Sequence, residues 1–341
     1  MSGAGADGVL DLDTDIHEYL TSWRLLAGEG WRPSVTLRQL LAHTAGLSYN
    51  WFRGYGVDEP IPSLVQTLQG DAPANTPPVR SSLLPGSRFR YSGSHYAVLQ
   101  QLMVDATGSR FDELMHALVL EPVAMADSSF DQQFPHQRPQ LVALGHHVAG
   151  TPVSGGWRTI PEMAGAGLWS TPTDLLRLDL EVARAATGKS QLLDQDLATH
   201  MLTPQLPDGA YGLGTEIDDS TGHRRFGHTG GNVGYNCFSF AWPDANVRRL
   251  HRDPQGDHRS VGPPRPRQGL GRKRRRRLAP VTREGISSRS TCGRTAVEGL
   301  LRCHQRPLLV GVVASQGGGR HDVMGAVRWL DRQRQIRPKL P

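Results

Sequence analysis

Three runs near the end of the regular part of the chain set its fold class: Tyr211-Gly-Leu-Gly-Thr-Glu-Ile217, Arg225-Phe226-Gly227-His228 and Tyr235-Asn-Cys-Phe-Ser-Phe-Ala-Trp242. Aromatic and β-branched residues punctuated by Gly and Asp read as short strands joined by turns. Upstream the period changes. Tyr96, Leu99, Leu102 and Met103 fall on one helical face, closed by Gly108. Phe111, Leu114, Met115 and Leu118 predict a second helix ended by Pro122. Ser170-Thr-Pro-Thr-Asp174 is a helix start, with Leu175, Leu176, Leu178 and Val182 as its apolar stripe and Gly188 beyond its end. Val35-Thr36 before Leu37, Leu40 and Leu41 predicts a short capped helix ended by Gly46. The Pro-rich, polar stretch from Trp51 to Pro85 reads as loop. Helices in the middle and antiparallel strands late predict an α/β (α+β) layered fold.

The 341 residues suffice for one large or two ordinary domains. Three cysteines, Cys237, Cys292 and Cys303, have no C-x-x-C spacing, which argues against a disulfide framework or a zinc site. His146 and His147 lack a partner at metal-ligand spacing, so no metal is expected. The apolar run Leu308 to Ala314 is too short to span a bilayer. Met1 to Gly8 has neither a basic nor an apolar signal-peptide region, leaving the cytoplasm as the default expectation.

The formal charge of +6 joins two unlike segments. Residues 246–341 carry 23 Lys+Arg against 6 Asp+Glu, net +17, and residues 1–245 carry 15 against 26, net −11. From Arg248 onward the chain is rich in Arg and Pro, and no capped helix or alternating strand is expected before Val323 to Leu330. Domain 1–245 is therefore separated from a basic segment, 246–341. Two readings of that segment stand. Out-of-frame translation of GC-rich DNA gives such a composition. Alternatively, Arg272, Lys273, Arg274, Arg275, Arg276 and Arg277 form a disordered basic tail that holds a polyanion without sequence specificity.

Four stretches carry a resemblance. They are Leu37-Arg-Gln-Leu-Leu-Ala-His43-Thr-Ala-Gly-Leu47, Pro85-Gly-Ser-Arg-Phe-Arg-Tyr91-Ser92-Gly93, Leu120-Glu-Pro-Val-Ala-Met125 through Phe130, and Gly227-His228-Thr229-Gly230-Gly231. Leu10-Asp-Leu-Asp-Thr-Asp-Ile16 adds a fifth, weaker match. Their order and spacing over about 235 residues resemble the serine β-lactamase-related family of class C β-lactamases, penicillin-binding-protein-like DD-peptidases and esterases. The resemblance implies a β-lactamase/transpeptidase-like fold, in which an antiparallel sheet is flanked by helices beside a helical subdomain. It implies acyl-enzyme hydrolysis of a small ester, amide or lactam with no cofactor. It places Tyr91 as proton carrier, its pKa lowered by cationic neighbours, with His228 at the position of the Lys-Thr-Gly lysine. Thr229, Gly230 and Gly231 become the strand edge that cradles substrate. Gly93 stands where the family often has Asn and is expected to serve backbone geometry. His43 is expected to be structural, at the end of its short helix.

The family's nucleophile is missing. The lysines are Lys189, Lys273 and Lys339, and three residues before them stand Ala186, Leu270 and Ile336, so no Ser-x-x-Lys occurs. Nine residues before Leu10 are too few for that helix, and the expectation is a late start or a fragment, with the fold incomplete and the chain inactive alone. The other reading is a non-catalytic protein that keeps the cleft and binds a polyanion through its tail.

Overall fold

Thr36 opens the first helix, α1 (Leu37–Leu41), with a capping box: its side chain accepts from Gln39 N–H, and the Gln39 side chain accepts from Thr36 N–H. The computed structural model describes residues 10–26, 31–220, 222 and 224–242, together with the backbone of 310–315. The expected loop between Trp51 and Pro85 is interrupted by a helix, α2 (Leu64–Gln69), which a second capping box, Ser63 with Gln66, begins and Gly70 ends. The longest helix, α3 (Gly93–Thr107), stops at Gly108 in the left-handed region, as the sequence predicts. The stretch after Arg110 is α4 (Phe111–Met115), continued by one π-helical turn to Leu120. Short helices α5 (Phe134–Gln137) and α6 (Met163–Ala166) follow. Thr171 caps α7 (Pro172–Ala185), with Pro172 in its first turn. Asp194 caps α8 (Gln195–Met201), a helix that the apolar spacing does not announce.

The sheet is antiparallel, in the order β1 (Glu216–Asp218), β2 (Arg225–Asn232), β3 (Tyr235–Ala241), β4 (Val310–Ser315). Of the predicted strand 211–217, only Glu216 and Ile217 lie in β1, with Tyr211 held by an isolated bridge to Glu216. The β2–β3 hairpin turns at Gly234, φ +86°. The strand β4 corrects the expectation that nothing regular precedes Val323. Val-Gly-Val-Val-Ala-Ser is made of small residues, apolar up to Ser315, so it lacks the period of two by which a half-buried strand is recognised. The segment Val323 to Leu330 and the basic run Arg272 to Arg277 lie outside the described residues.

Two apolar layers position the site. The larger wraps α3 with Ile16, Leu20, Leu40, Leu41, Leu47 and Leu213. The smaller packs Leu176 and Val182 of α7 against Phe226 of β2 and Ala241 of β3. The architecture is the predicted mixed one, helices against an antiparallel sheet. Among the described residues no helix is long and apolar enough to cross a membrane.

Candidate active site

Tyr91 precedes α3, and its neighbours on both sides are pinned. Ser92 is the N-cap: its hydroxyl accepts from Ser94 N–H (3.2 Å) and Asn50 N–H (3.1 Å) and donates to Ser48 O (2.8 Å). With every lone pair and its proton engaged and no exposed surface, Ser92 has no free oxygen for attack. On the other side Arg90 N–H donates to His43 O at 2.8 Å. The His43 ring then accepts from Ser92 N–H at Nδ1, 3.4 Å away. His43 thus brackets Tyr91 from backbone and side chain, and its ring lies 4.3 Å from the Tyr91 ring. It does so from a left-handed backbone, φ +56°, unusual for a residue with a Cβ.

His43 is buried, and burial, followed by His95 and His228, pushes its pKa down to about 2. It is a neutral ring. His95 Nδ1 lies 3.1 Å from Ser92 O and 3.3 Å from His43 Nδ1. A carbonyl only accepts, so His95 Nδ1 carries the proton and His43 Nδ1 is the acceptor. Burial holds His95 down at about 4.

His228 sits on β2 opposite Ser239, past the point where β1 stops pairing at Gly227. Its Nδ1 faces Thr229 O and therefore carries a proton. Its Nε2 lies 2.9 Å from the hydroxyl of Tyr211. Burial, then Tyr96 and Tyr91, push the Tyr211 hydroxyl far up, so it stays protonated. The Tyr91 and His228 rings are 5.9 Å apart. Beyond His228, Thr229, Gly230 and Gly231 are exposed along a strand edge with no partner strand among the described residues. At Gly230 a Cβ would come within 2.7 Å of Cys237 Sγ, and at Gly231 within 3.4 Å of Asn236 Oδ1. Thr229 N–H and hydroxyl both point at Glu216 Oε1, at 3.3 and 2.9 Å.

The structure thus brings Tyr91 and His228 together, and Thr229, Gly230 and Gly231 continue β2 beyond His228 as an exposed stretch. At Gly93, two residues after Tyr91, a Cβ would meet Phe52 Cε2 at 2.7 Å, so its smallness serves packing. The cationic neighbours expected for Tyr91 are not the forces acting on it. Burial of its half-exposed ring, then Glu216 and Tyr49, raise its hydroxyl above the ordinary phenol range. A phenol so held stays protonated at neutral pH. Tyr211, Glu216 and His95 escaped the sequence reading, and His43 was read only as a helix end. The Tyr-Gly-Leu-Gly run carried Tyr211 into view as a strand residue, but nothing local points it at His228. Lysine does not approach this geometry from the one described position, Lys189, which lies in the turn after α7 with its N–H on Arg184 O. Among the described residues no three His, Cys, Asp or Glu side chains converge as a metal ion requires.

The chain is 28% identical over 210 residues to esterase EstB of Burkholderia gladioli, covering 54% of this chain and 53% of the esterase. It is 28% identical over 262 residues to protein Rv1367c of Mycobacterium tuberculosis, covering 66% of this chain and 61% of that protein. The chain thus spans about half to three-fifths of these relatives. Among solved structures, a penicillin-binding protein from Bacillus halodurans superposes with a TM-score of 0.59 at 20% identity, covering 96% of this chain and 80% of that one. The penicillin-binding protein homologue from Pyrococcus abyssi gives 0.55 at 21% identity, covering 71% and 56%. At such identities these likenesses speak to the fold. The family model described as Beta-lactamase matches residues 6–248, most of the chain and every cleft residue named above, and the protein belongs to the Beta-lactamase family.

Proposed function

We propose that the cleft binds the acyl part of a small ester, amide or lactam along the free edge of β2, as in a serine hydrolase, and that this 341-residue chain does not turn such substrates over. One observation carries the reading: the Tyr91 and His228 rings stand 5.9 Å apart, and the exposed Thr229–Gly231 stretch follows His228 directly on β2. A strand edge offers N–H groups to a carbonyl or an oxyanion, and glycines let it come close. Tyr91, held protonated, offers its hydroxyl as a hydrogen-bond donor to the bound acyl compound, and His228 stands beside it. The relation to esterase EstB supports an ester or a related acyl compound as the ligand class. The lack of turnover follows from the chemistry: acyl transfer needs an activated nucleophile, no Ser-x-x-Lys occurs in the 341 residues, and the Ser92 hydroxyl is fully committed.

The test incubates the purified chain with nitrocefin and with p-nitrophenyl acetate, and separately with a fluorophosphonate probe. The expected result is no turnover above buffer and no labelled serine. Turnover abolished by Tyr91→Phe, or stoichiometric labelling of one serine, overturns the inactive reading.

A further inference from the structure

The free edge of β2 presents two donors at one residue, the backbone N–H and the hydroxyl of Thr229. Both are spent on a single acceptor of the same chain, Glu216 Oε1, at 3.3 and 2.9 Å. Glu216 opens β1 and pairs with Gly227, two residues before Thr229, so the sheet register itself delivers the carboxylate to this point. Two arginines at the start of β2 are engaged elsewhere: Arg225 with Asp218 at 2.9 Å and Arg224, just before the strand, with Asp219 at 3.0 Å. The negative charge of Glu216 is felt by the Tyr91 and Tyr211 hydroxyls, both of which it helps to raise. The cleft therefore carries a built-in carboxylate at its strand edge, with its donors already occupied.

We infer that Glu216 is a specificity residue that turns away substrates bearing a carboxylate next to the reacting carbonyl and admits uncharged esters and amides. The inference rests on the acyl-binding reading of the cleft given above. A carboxylate arriving at Thr229 finds neither donor free and meets a like charge a few ångströms away. An uncharged ester set along the same edge beside Gly231 meets no repulsion. At the effective dielectric of a solvent-open cleft this amounts to about a tenfold difference in affinity. Charge opposition of this kind acts as discrimination between two ligands of the same shape.

The experiment titrates the ¹⁵N-labelled full chain with N-acetyl-D-alanine and with its methyl ester, following the amide resonances of Gly230 and Gly231. The expected result is an ester Kd about tenfold below that of the acid. In Glu216→Gln the acid should gain until the two agree within about twofold. A second measurement needs no variant: raising ionic strength should tighten the acid and leave the ester unchanged, because only the acid is repelled. If both compounds shift these resonances with equal affinity, or the ratio ignores both the substitution and salt, the inference falls while the acyl-binding reading stands. If neither compound moves Gly230 or Gly231, the acyl-binding reading itself falls, and the inference with it.

Discussion

The hydroxyl of Tyr211 and Nε2 of His228 lie 2.9 Å apart, joining the start of the strand region to β2 across 17 residues. With Nδ1 turned to Thr229 O, both ring nitrogens of His228 are used inside the protein. His228 is then fixed in place beside Tyr91 by partners at both ring nitrogens. Tyr211 in turn stands between the His43 and His228 rings, at 5.0 and 5.9 Å. One buried phenol thus ties the Tyr91 side of the cleft to the β2 side.

Removing that hydroxyl should loosen the tie without emptying the core. Tyr211→Phe keeps the ring and deletes the donor to His228, leaving a polar nitrogen unmatched in a half-buried setting. The expected loss is about 1 kcal/mol of stability by urea denaturation. The ¹⁵N shift of His228 Nε2 should move as it loses its partner. A variant with unchanged stability and an unchanged Nε2 resonance would show that the contact does not form in solution.

Ser92 sits next to Tyr91 and is the serine most open to being mistaken for a nucleophile. Its geometry makes it a helix cap with three hydrogen bonds. Ser92→Ala should cost about 1–2 kcal/mol, the upper range for an N-cap, since Asn50 N–H also loses its acceptor. Circular dichroism melting checks the loss. Any covalent probe captured by the wild type should be captured equally by this variant if it folds.

How much of this was legible in the chain depends on the range of the interaction. The caps at Thr36 and Thr171 and the stop at Gly108 are local signals, and the structure places helix ends on them. The Ser63–Gln66 box was equally local, but the surrounding prolines masked it. The cleft motif at His228 to Gly231 was visible because its glycines stand in sequence. The partners of those residues were not. Glu216 reaches Thr229 through sheet register, and His43 reaches Ser92 across 49 residues, so neither relation leaves a periodic trace. The raised Tyr91 hydroxyl leaves no trace in the sequence for the same reason, because the burial that chiefly raises it, and then Glu216 and Tyr49, come from other segments.

Gly93 offers a test of packing against ligand contact. A methyl there would sit 2.7 Å from Phe52 Cε2 and 3.1 Å from Asn50 O. Helix propensity alone favours Gly93→Ala, since Ala is the better helix former. Overpacking against a buried ring and a carbonyl opposes it and is the larger effect, about 1–3 kcal/mol. The expected outcome is a net destabilisation in chemical denaturation. A stabilised Gly93→Ala would mean that Phe52 swings aside at little cost.

Glu162 gives the pH dependence its alkaline arm. It is 1% exposed, and neither carboxyl oxygen makes a well-aligned hydrogen bond. Burial raises its pKa from 4.5 to about 7, against smaller opposing pulls from its own backbone N–H and Thr67. The folded protein therefore keeps a proton that the unfolded chain gives up. The stability that this proton confers is complete below pH 4.5 and is lost as pH rises through about 7, by about 3 kcal/mol in all. Asp179, raised by burial to about 6, acts with the same sign. The two buried histidines act with the opposite one: neutral when folded, with pKa values near 2 and 4, they withdraw stability as pH falls below 6.5. The net curve mixes these groups, so the wild type alone does not isolate Glu162. The difference from Glu162→Gln does. The two proteins should be about equally stable at pH 4 by urea denaturation, and the variant should lead increasingly between pH 5 and 8. A difference that stays flat across that range would show that the carboxyl is ionised and solvated in the folded protein.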